Sequence, residues 1–368
     1  MTTPILESQD KNALKEAVIA FAMAIVAAIL IKLPVLFGVD LDQNESFYIR
    51  NISLFMLPLL TGYFVWKRKM ESGKLVLLAF AFIAALIFAN IYPFEQGGDT
   101  EALLALHLPI ALWLIVGIAF TGGRWFQGSS RMEFIRFSGE MFIYYVLIAL
   151  GGVVLVGFMA LIFETIGIDI EPIFESWILS CVAGAVIIAA WLAEIRNELA
   201  GNFAPVLAKL FSPLFAFVII AFLGTLLFTE NELIVDRDVL IAFDLLLVVV
   251  LCLLIYSISA RDTEASPGVF DMIQVVLVVS ALLADTVALW GISQRIAEFG
   301  FTPNRVAALG MNLILLVNLS WSAILYLRFI SSKTNFSTLE KWQTDYLPVY
   351  AVWAATVVVI FPLLFGFE

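Results

Sequence analysis

The sequence predicts an all-α fold: a polytopic transmembrane bundle of about eleven spans, with the N-terminus cytoplasmic and the C-terminus outside. Three observations carry this. Of 368 residues, 62% are hydrophobic and only 14% charged, against about a quarter charged in an ordinary soluble domain. Apolar runs of roughly 20 residues recur along the chain, each long enough to cross about 30 Å of hydrocarbon as a helix. Lysine and arginine alternate between the connecting segments in the way membrane insertion requires. A β-barrel would need short alternating segments, and the sequence has none.

Taken in order, the spans are expected at roughly 16–37, 51–66, 74–92, 102–120, 138–163, 174–193, 205–228, 239–259, 268–290, 303–328 and 346–366. The first run is too long for a signal-peptide core and is followed by no small-x-small cleavage pattern, so a retained helix is expected. No connecting segment has room for a soluble domain, and residues 1–368 read as one integral membrane domain.

With the N-terminus inside, the cytoplasmic segments collect Lys11 and Lys15, then Lys67, Arg68, Lys69 and Lys74, and next Arg124, Arg131 and Arg136. Arg196, Lys209, Arg261, Arg328, Lys333 and Lys341 follow. Only Lys32, Arg50, Arg237, Arg295 and Arg305 fall elsewhere, and Lys32 sits where its stem can snorkel outward. Outward-going helices end in aliphatic-Phe pairs followed by acids: Leu36-Phe37 before Asp40 and Asp42, Ile87-Phe88 before Glu95, Ile162-Phe163 before Glu164 and Asp169, Leu227-Phe228 before Glu230 and Glu232, and Leu364-Phe365 before Glu368. Internal duplication is one reading. The Phe spacings keep no fixed period, which favours recurrent interfacial chemistry instead.

Tyr48, Trp66, Tyr92, Trp125, Trp177, Trp191, Trp290, Tyr326, Trp342 and Tyr346 stand near span ends and read as interface anchors. The stretch Trp125–Phe137 mixes aromatics with three arginines; it reads as a basic loop or as an amphipathic strip on the inner leaflet. Gly151, Gly152 and Gly157 would allow close helix approach or a bend.

The net charge of −11 and the lack of a basic module exclude a nucleic-acid partner. Cys181 and Cys252 lie in apolar runs, read as core-packing thiols rather than a disulfide or metal pair. With the single histidine His107 no metal set is complete, no hydrolase or phosphate-loop pattern occurs, and no cofactor is expected.

Ionisable residues within the spans are more informative, because a carboxylate in hydrocarbon seeks a partner or a wet cavity. Asp244 in the eighth span and Asp285 in the ninth lie at similar depth. Two close carboxylates share a proton more readily than both ionise, so they form a candidate proton or cation site. On the ninth helix Asp271, Gln274 and Asp285 fall within about 60° of one another, a polar stripe able to line a path. The other reading makes Asp271 an interfacial residue and pairs Asp285 with an outer arginine.

Those arginines flank the ninth-to-tenth connection. Gly300 permits a sharp turn, Thr302 suits an N-cap and Pro303 the first helical position. Arg305 then falls in a first helical turn, which disfavours a cation, and Arg295 and Arg305 both break the positive-inside pattern. An anion would relieve both: Asp285, Glu298, a lipid phosphate or an anionic ligand. Asn312, Asn318, Ser320 and Ser322 further along the tenth helix are expected to join helices by hydrogen bonds.

The segment Glu298-Phe-Gly-Phe-Thr-Pro-Asn-Arg305, the long helix ending Trp321-Ser-Ala-Ile-Leu-Tyr-Leu327, Phe211-Ser-Pro-Leu-Phe215 and the Pro267-Gly268 turn together resemble the C-terminal part of the bacterial membrane family DUF4153, and more distantly DUF4173. The resemblance covers roughly residues 205–330. It implies a multi-pass protein of the bacterial inner membrane and transfers no catalytic or binding residue.

These readings lead to a permease-like protein that moves a small solute, lipid or ion through the bundle. The alternative is a non-transporting scaffold or sensory subunit that meets a protein partner at the cytoplasmic segments 67–74 and 121–136. An intramembrane enzyme is the least supported.

Overall fold

A computed structural model describes residues 4–41, 43–165, 171–199, 204–226 and 237–368. The acids expected at Asp42, Asp169, Glu230 and Glu232, and the Leu227-Phe228 pair, lie outside the described residues. The described chain is helical throughout: α1 Pro4–Lys32, α2 Glu45–Lys67, α3 Ser72–Ile91, α4 Asp99–Phe120, α5 Gly128–Thr165, α6 Glu171–Leu199, α7 Ala204–Leu226, α8 Arg237–Ser259, α9 Val269–Phe299, α10 Pro303–Ile330, α11 Ser337–Val359 and the short α12 Phe361–Leu364. A 3-10 turn, Leu33–Phe37, extends α1.

Among the described residues nine helices are long and apolar enough to cross a membrane. Helical backbones satisfy their own hydrogen bonds, so they can do this in lipid. The span expected at 205–228 is α7, Ala204–Leu226, of which Lys209–Gly224 is the apolar stretch among the described residues, and the last expected span is divided between α11 and α12. Four helices begin well before their apolar runs, because polar turns precede them: α1 at Pro4, α2 at Glu45, α5 at Gly128 and α11 at Ser337. The polar stretch Trp125–Phe137 is therefore mostly helix, neither loop nor surface strip: Met132, Phe134, Ile135 and Phe137 are buried, and Phe126 alone among its large apolar residues is strongly exposed.

The chain forms two compact units. The first comprises residues 1–96, 108–125 and 137–201. In it α1 lies along α6, and α2 packs on α1, α3 and α6. At Gly184 the backbone of α6 lies close to α1: a Cβ there would come within 3.3 Å of the Ala24 carbonyl oxygen. Small residues allow such backbone contact in membrane bundles. Gly151, Gly152 and Gly157, expected to serve this purpose, face open space instead. Glu194, 3% exposed, accepts from Arg68 at 2.6 Å and lies 3.6 Å from Lys67, which also meets Glu16 at 2.9 Å. Asn51 and Asn90 exchange amide hydrogen bonds at 3.0 and 2.8 Å between α2 and α3.

The second unit comprises residues 97–107, 126–136 and 202–368. Here α9 is central, with α7, α8 and α10 packed around it and α11 against α10 and α8. Gly310 of α10 is required by the approach of α11, since a Cβ there would fall 2.0 Å from the Trp353 ring. Asn318, Ser322 and Gln343 form a fully buried amide–hydroxyl network that joins α10 to α11. The tenth helix starts as its sequence dictates. Gly300 has φ +78° and Thr302 is the extended N-cap, its hydroxyl accepting from Arg305 N; Pro303 opens the first turn.

The expected belt of aromatic anchors is only partly realised. Trp66, Trp177 and Trp290 are exposed, whereas Tyr48, Trp125, Tyr326 and Tyr346 are buried. Tyr48 and Tyr346 direct their hydroxyls to the Val39 and Ile314 carbonyls. Cys181 and Cys252 are also corrected: both are free thiols on exposed helix faces, not core residues.

Candidate functional site

The buried face of α9 carries three polar side chains of different character. At its first turn Asp271 accepts from Arg261 Nε at 2.8 Å and Arg261 Nη2 at 3.0 Å, and from Gly268 N at 2.8 Å. The guanidinium is held between the Phe329 and Phe336 rings, 4.7 and 4.4 Å from their centroids, and donates further to the carbonyls of Asp262, Ala265 and Ser266. A planar fork stacked on aromatics and paired bidentately is a rigid clamp. One turn along, Gln274 donates to Ser212 and Ser257, joining α7, α8 and α9.

Above Gln274 the face becomes apolar. Leu277, Val278, Ala281 and Ala284 are all fully buried. Gln274 and Asp285 are eleven residues apart, about 16 Å along the helix. The continuous polar stripe expected from Asp271 to Asp285 is therefore not formed: its inner part is structural and packed side chains separate it from Asp285.

Asp285 is 0% exposed, and neither of its carboxylate oxygens meets a hydrogen-bond donor among the described residues. Asp244, half-buried, stands on α8, which packs against α9. Asn312 of α10 donates from Nδ2 to Asp244 Oδ1 at 2.7 Å and to the Ala308 carbonyl at 2.9 Å, which fixes the amide orientation. The Asn312 side-chain carbonyl then has no donor either. Three helices thus present two carboxylates and an amide oxygen with acceptor capacity unused. Such a cluster suits a proton or a small cation, since unpaired acceptors in a low-dielectric site are costly.

Neither outer arginine reaches Asp285. Arg305 turns back, donating from Nη1 to the carbonyls of Phe299 at 3.0 Å and Gly300 at 2.8 Å, with its guanidinium over the Phe299 ring. The expected Arg–Asp285 salt bridge is replaced by a cap on the C-terminus of α9. There the helix dipole favours a cation, which answers why a cation stands in the first turn of α10. Arg295 also lies over Phe299, at 5.7 Å, and Glu298 is exposed.

His107 Nδ1 bonds the Leu103 carbonyl of its own helix at 2.9 Å. No group of three or more metal-binding side chains occurs among the described residues. Sequence reasoning placed Asn312 among general helix-joining residues and missed its bond to Asp244. The available signal was the shared depth of Asp244 and Asn312 on helices flanking the one that bears Asp285. Glu194 and Gln343 were also missed, because each precedes or follows an apolar run and reads as interfacial.

Comparison of the chain with family models, with curated proteins and with solved structures finds no match in any of the three.

Proposed function

We propose that the protein is a multi-pass permease that moves a small solute, lipid or ion, and that Asp285, Asp244 and Asn312 form its proton- or cation-holding site. One observation supports this above others: Asp285 is fully buried at mid-helix, yet among the described residues no side chain or backbone group donates to it. Structural carboxylates in the same chain, Asp271 and Glu194, are clamped by arginine. Ionisable groups inside membrane helices that lack a fixed partner mark ion and proton sites.

The bacterial inner membrane and the DUF4153 relationship are part of the same proposal, supported by the turn at 298–305 and the Lys/Arg bias. The scaffold reading, with docking at 67–74 and 121–136, has less support. Lys67 and Arg68 are turned onto Glu194, and Arg131 onto Asp345, so much of the basic charge of those segments is engaged within the chain.

The test is flux. Full-length protein reconstituted in liposomes loaded with a pH-sensitive dye is challenged with a pH gradient, and separately with a sodium gradient. Flux above protein-free vesicles that disappears in Asp285→Asn supports the reading. Wild-type flux in Asp285→Asn removes Asp285 from it.

A further inference from the structure

A cleft of about 750 Å³ opens in the second unit between the first turns of α5, the segment after α8 and the first turns of α11. It is separate from the Asp285 cluster and shares no residue with it. Its cations are Arg131, Arg136, Arg261 and Lys341, all in segments that the Lys/Arg bias assigns to the cytoplasm.

Arg136 and Arg261 are committed to structure: Arg136 donates to the Ser259 carbonyl, and Arg261 clamps Asp271. Arg131 is different. Its side chain is only 9% exposed, yet among the described residues it makes one side-chain ion pair, Nη2 to Asp345 Oδ1 at 2.7 Å. Its Nε, buried on the edge that a bidentate acceptor would use, has no partner. Asp345 is 47% exposed and can swing into solvent. The α11 N-terminus on the cleft has Phe336 as its N-cap and no side-chain capping bond, so the positive end of that helix dipole adds to the field.

We propose that this cleft binds a phosphate-class oxyanion, with Arg131 as principal ligand, Lys341 as a second cation and Asp345 as a built-in competitor. An oxyanion with several oxygens completes the Nε–Nη2 fork that Asp345 leaves half used. The other acids on the cleft, Glu133, Asp262 and Glu340, limit the total negative charge it accepts and favour a single phosphate over a polyphosphate. A free phosphate compound and the headgroup of an anionic lipid present the same chemistry here.

Full-length protein in detergent is titrated by calorimetry with inorganic phosphate, and in parallel with a short-chain phosphatidic acid. Arg131→Gln and Lys341→Gln weaken binding, Arg131→Gln by roughly tenfold or more, while Asp345→Asn tightens it. This opposite sign separates a binding role from a structural pair, because loss of either partner of a structural pair would only destabilise. Lys341 is exposed, so its variant reports on binding even if Arg131→Gln folds poorly. Binding of inorganic phosphate identifies a soluble ligand, and binding of the lipid alone identifies a headgroup. Absence of binding by both, or Asp345→Asn weaker than wild type, overturns the proposal.

Discussion

The Asn312 amide donates to Asp244 at 2.7 Å, while Asp285, on the helix packed against both of theirs, receives no donor among the described residues. The two acids are thus not equivalent. Asp244 has a fixed neutral partner and partial exposure; Asp285 has full burial and none. Removing Asn312 should remove the difference in donor and leave the difference in burial. Asn312→Leu leaves both carboxylates without a donor, and the pair then releases and takes up its proton at a different pH. The check is the pH profile of flux in reconstituted vesicles, which should shift in Asn312→Leu relative to wild type.

Stability and activity should separate at Asp285. A buried carboxylate with no donor destabilises the fold, so an isosteric or apolar replacement is neutral or stabilising. Asp285→Asn and Asp285→Leu are expected to melt at or above the wild-type temperature in detergent while losing flux. A lower melting temperature in both would mean that the carboxylate has a structural partner.

The opposite holds at the Arg261–Asp271 clamp. Arg261→Met leaves a buried, uncompensated carboxylate and should cost about 3–5 kcal/mol. Arg261→Met combined with Asp271→Leu should recover most of that loss, because both charges are gone. Denaturant unfolding of the two single variants and the double variant measures the coupling directly.

Gly310 gives a steric prediction. Its missing side chain admits the Trp353 ring, and a Cβ would meet that ring at 2.0 Å. Gly310→Ala is expected to destabilise by about 1–3 kcal/mol through overpacking, and Gly310→Ala with Trp353→Leu should restore part of it. Thermal unfolding of the single and double variants tests this.

How legible these features were depends on the range of the interaction that makes them. The turn at 300–305 is local: the φ that only Gly300 tolerates, the Thr302 cap and Pro303 act within a few residues, so its shape follows from sequence. Apolar run length fixes the nine long helices for the same reason. Helix starts were misplaced where polar turns are buried by tertiary contact, as at Arg131 and Gln343, each 7% exposed or less. Asp244 and Asp285 were visible as charges in hydrocarbon. That Arg305 turns away from Asp285 to the carbonyls ending α9 was not visible, because helix-end dipoles compete with carboxylates at distances set only by packing.

The acid response of the second unit should report on Glu340. Burial raises its carboxyl above the ordinary value of 4.5, and the Arg136 guanidinium opposes the shift. A raised acid binds its proton more tightly when folded. The resulting stability is present below the unfolded value and is lost as pH rises through the folded one. Glu340→Gln should flatten this decline in melting temperature above pH 4.5. An unchanged slope would place its origin elsewhere.

Proton flux through Asp285→Asn in dye-loaded liposomes tests the central claim most directly. Wild-type protein should carry flux under an imposed pH or sodium gradient, and Asp285→Asn, folded and equally incorporated, should fall to the level of empty vesicles. Flux in Asp285→Asn equal to wild type, or none in either under both gradients, would contradict a proton- or cation-conducting role for the Asp244–Asn312–Asp285 cluster.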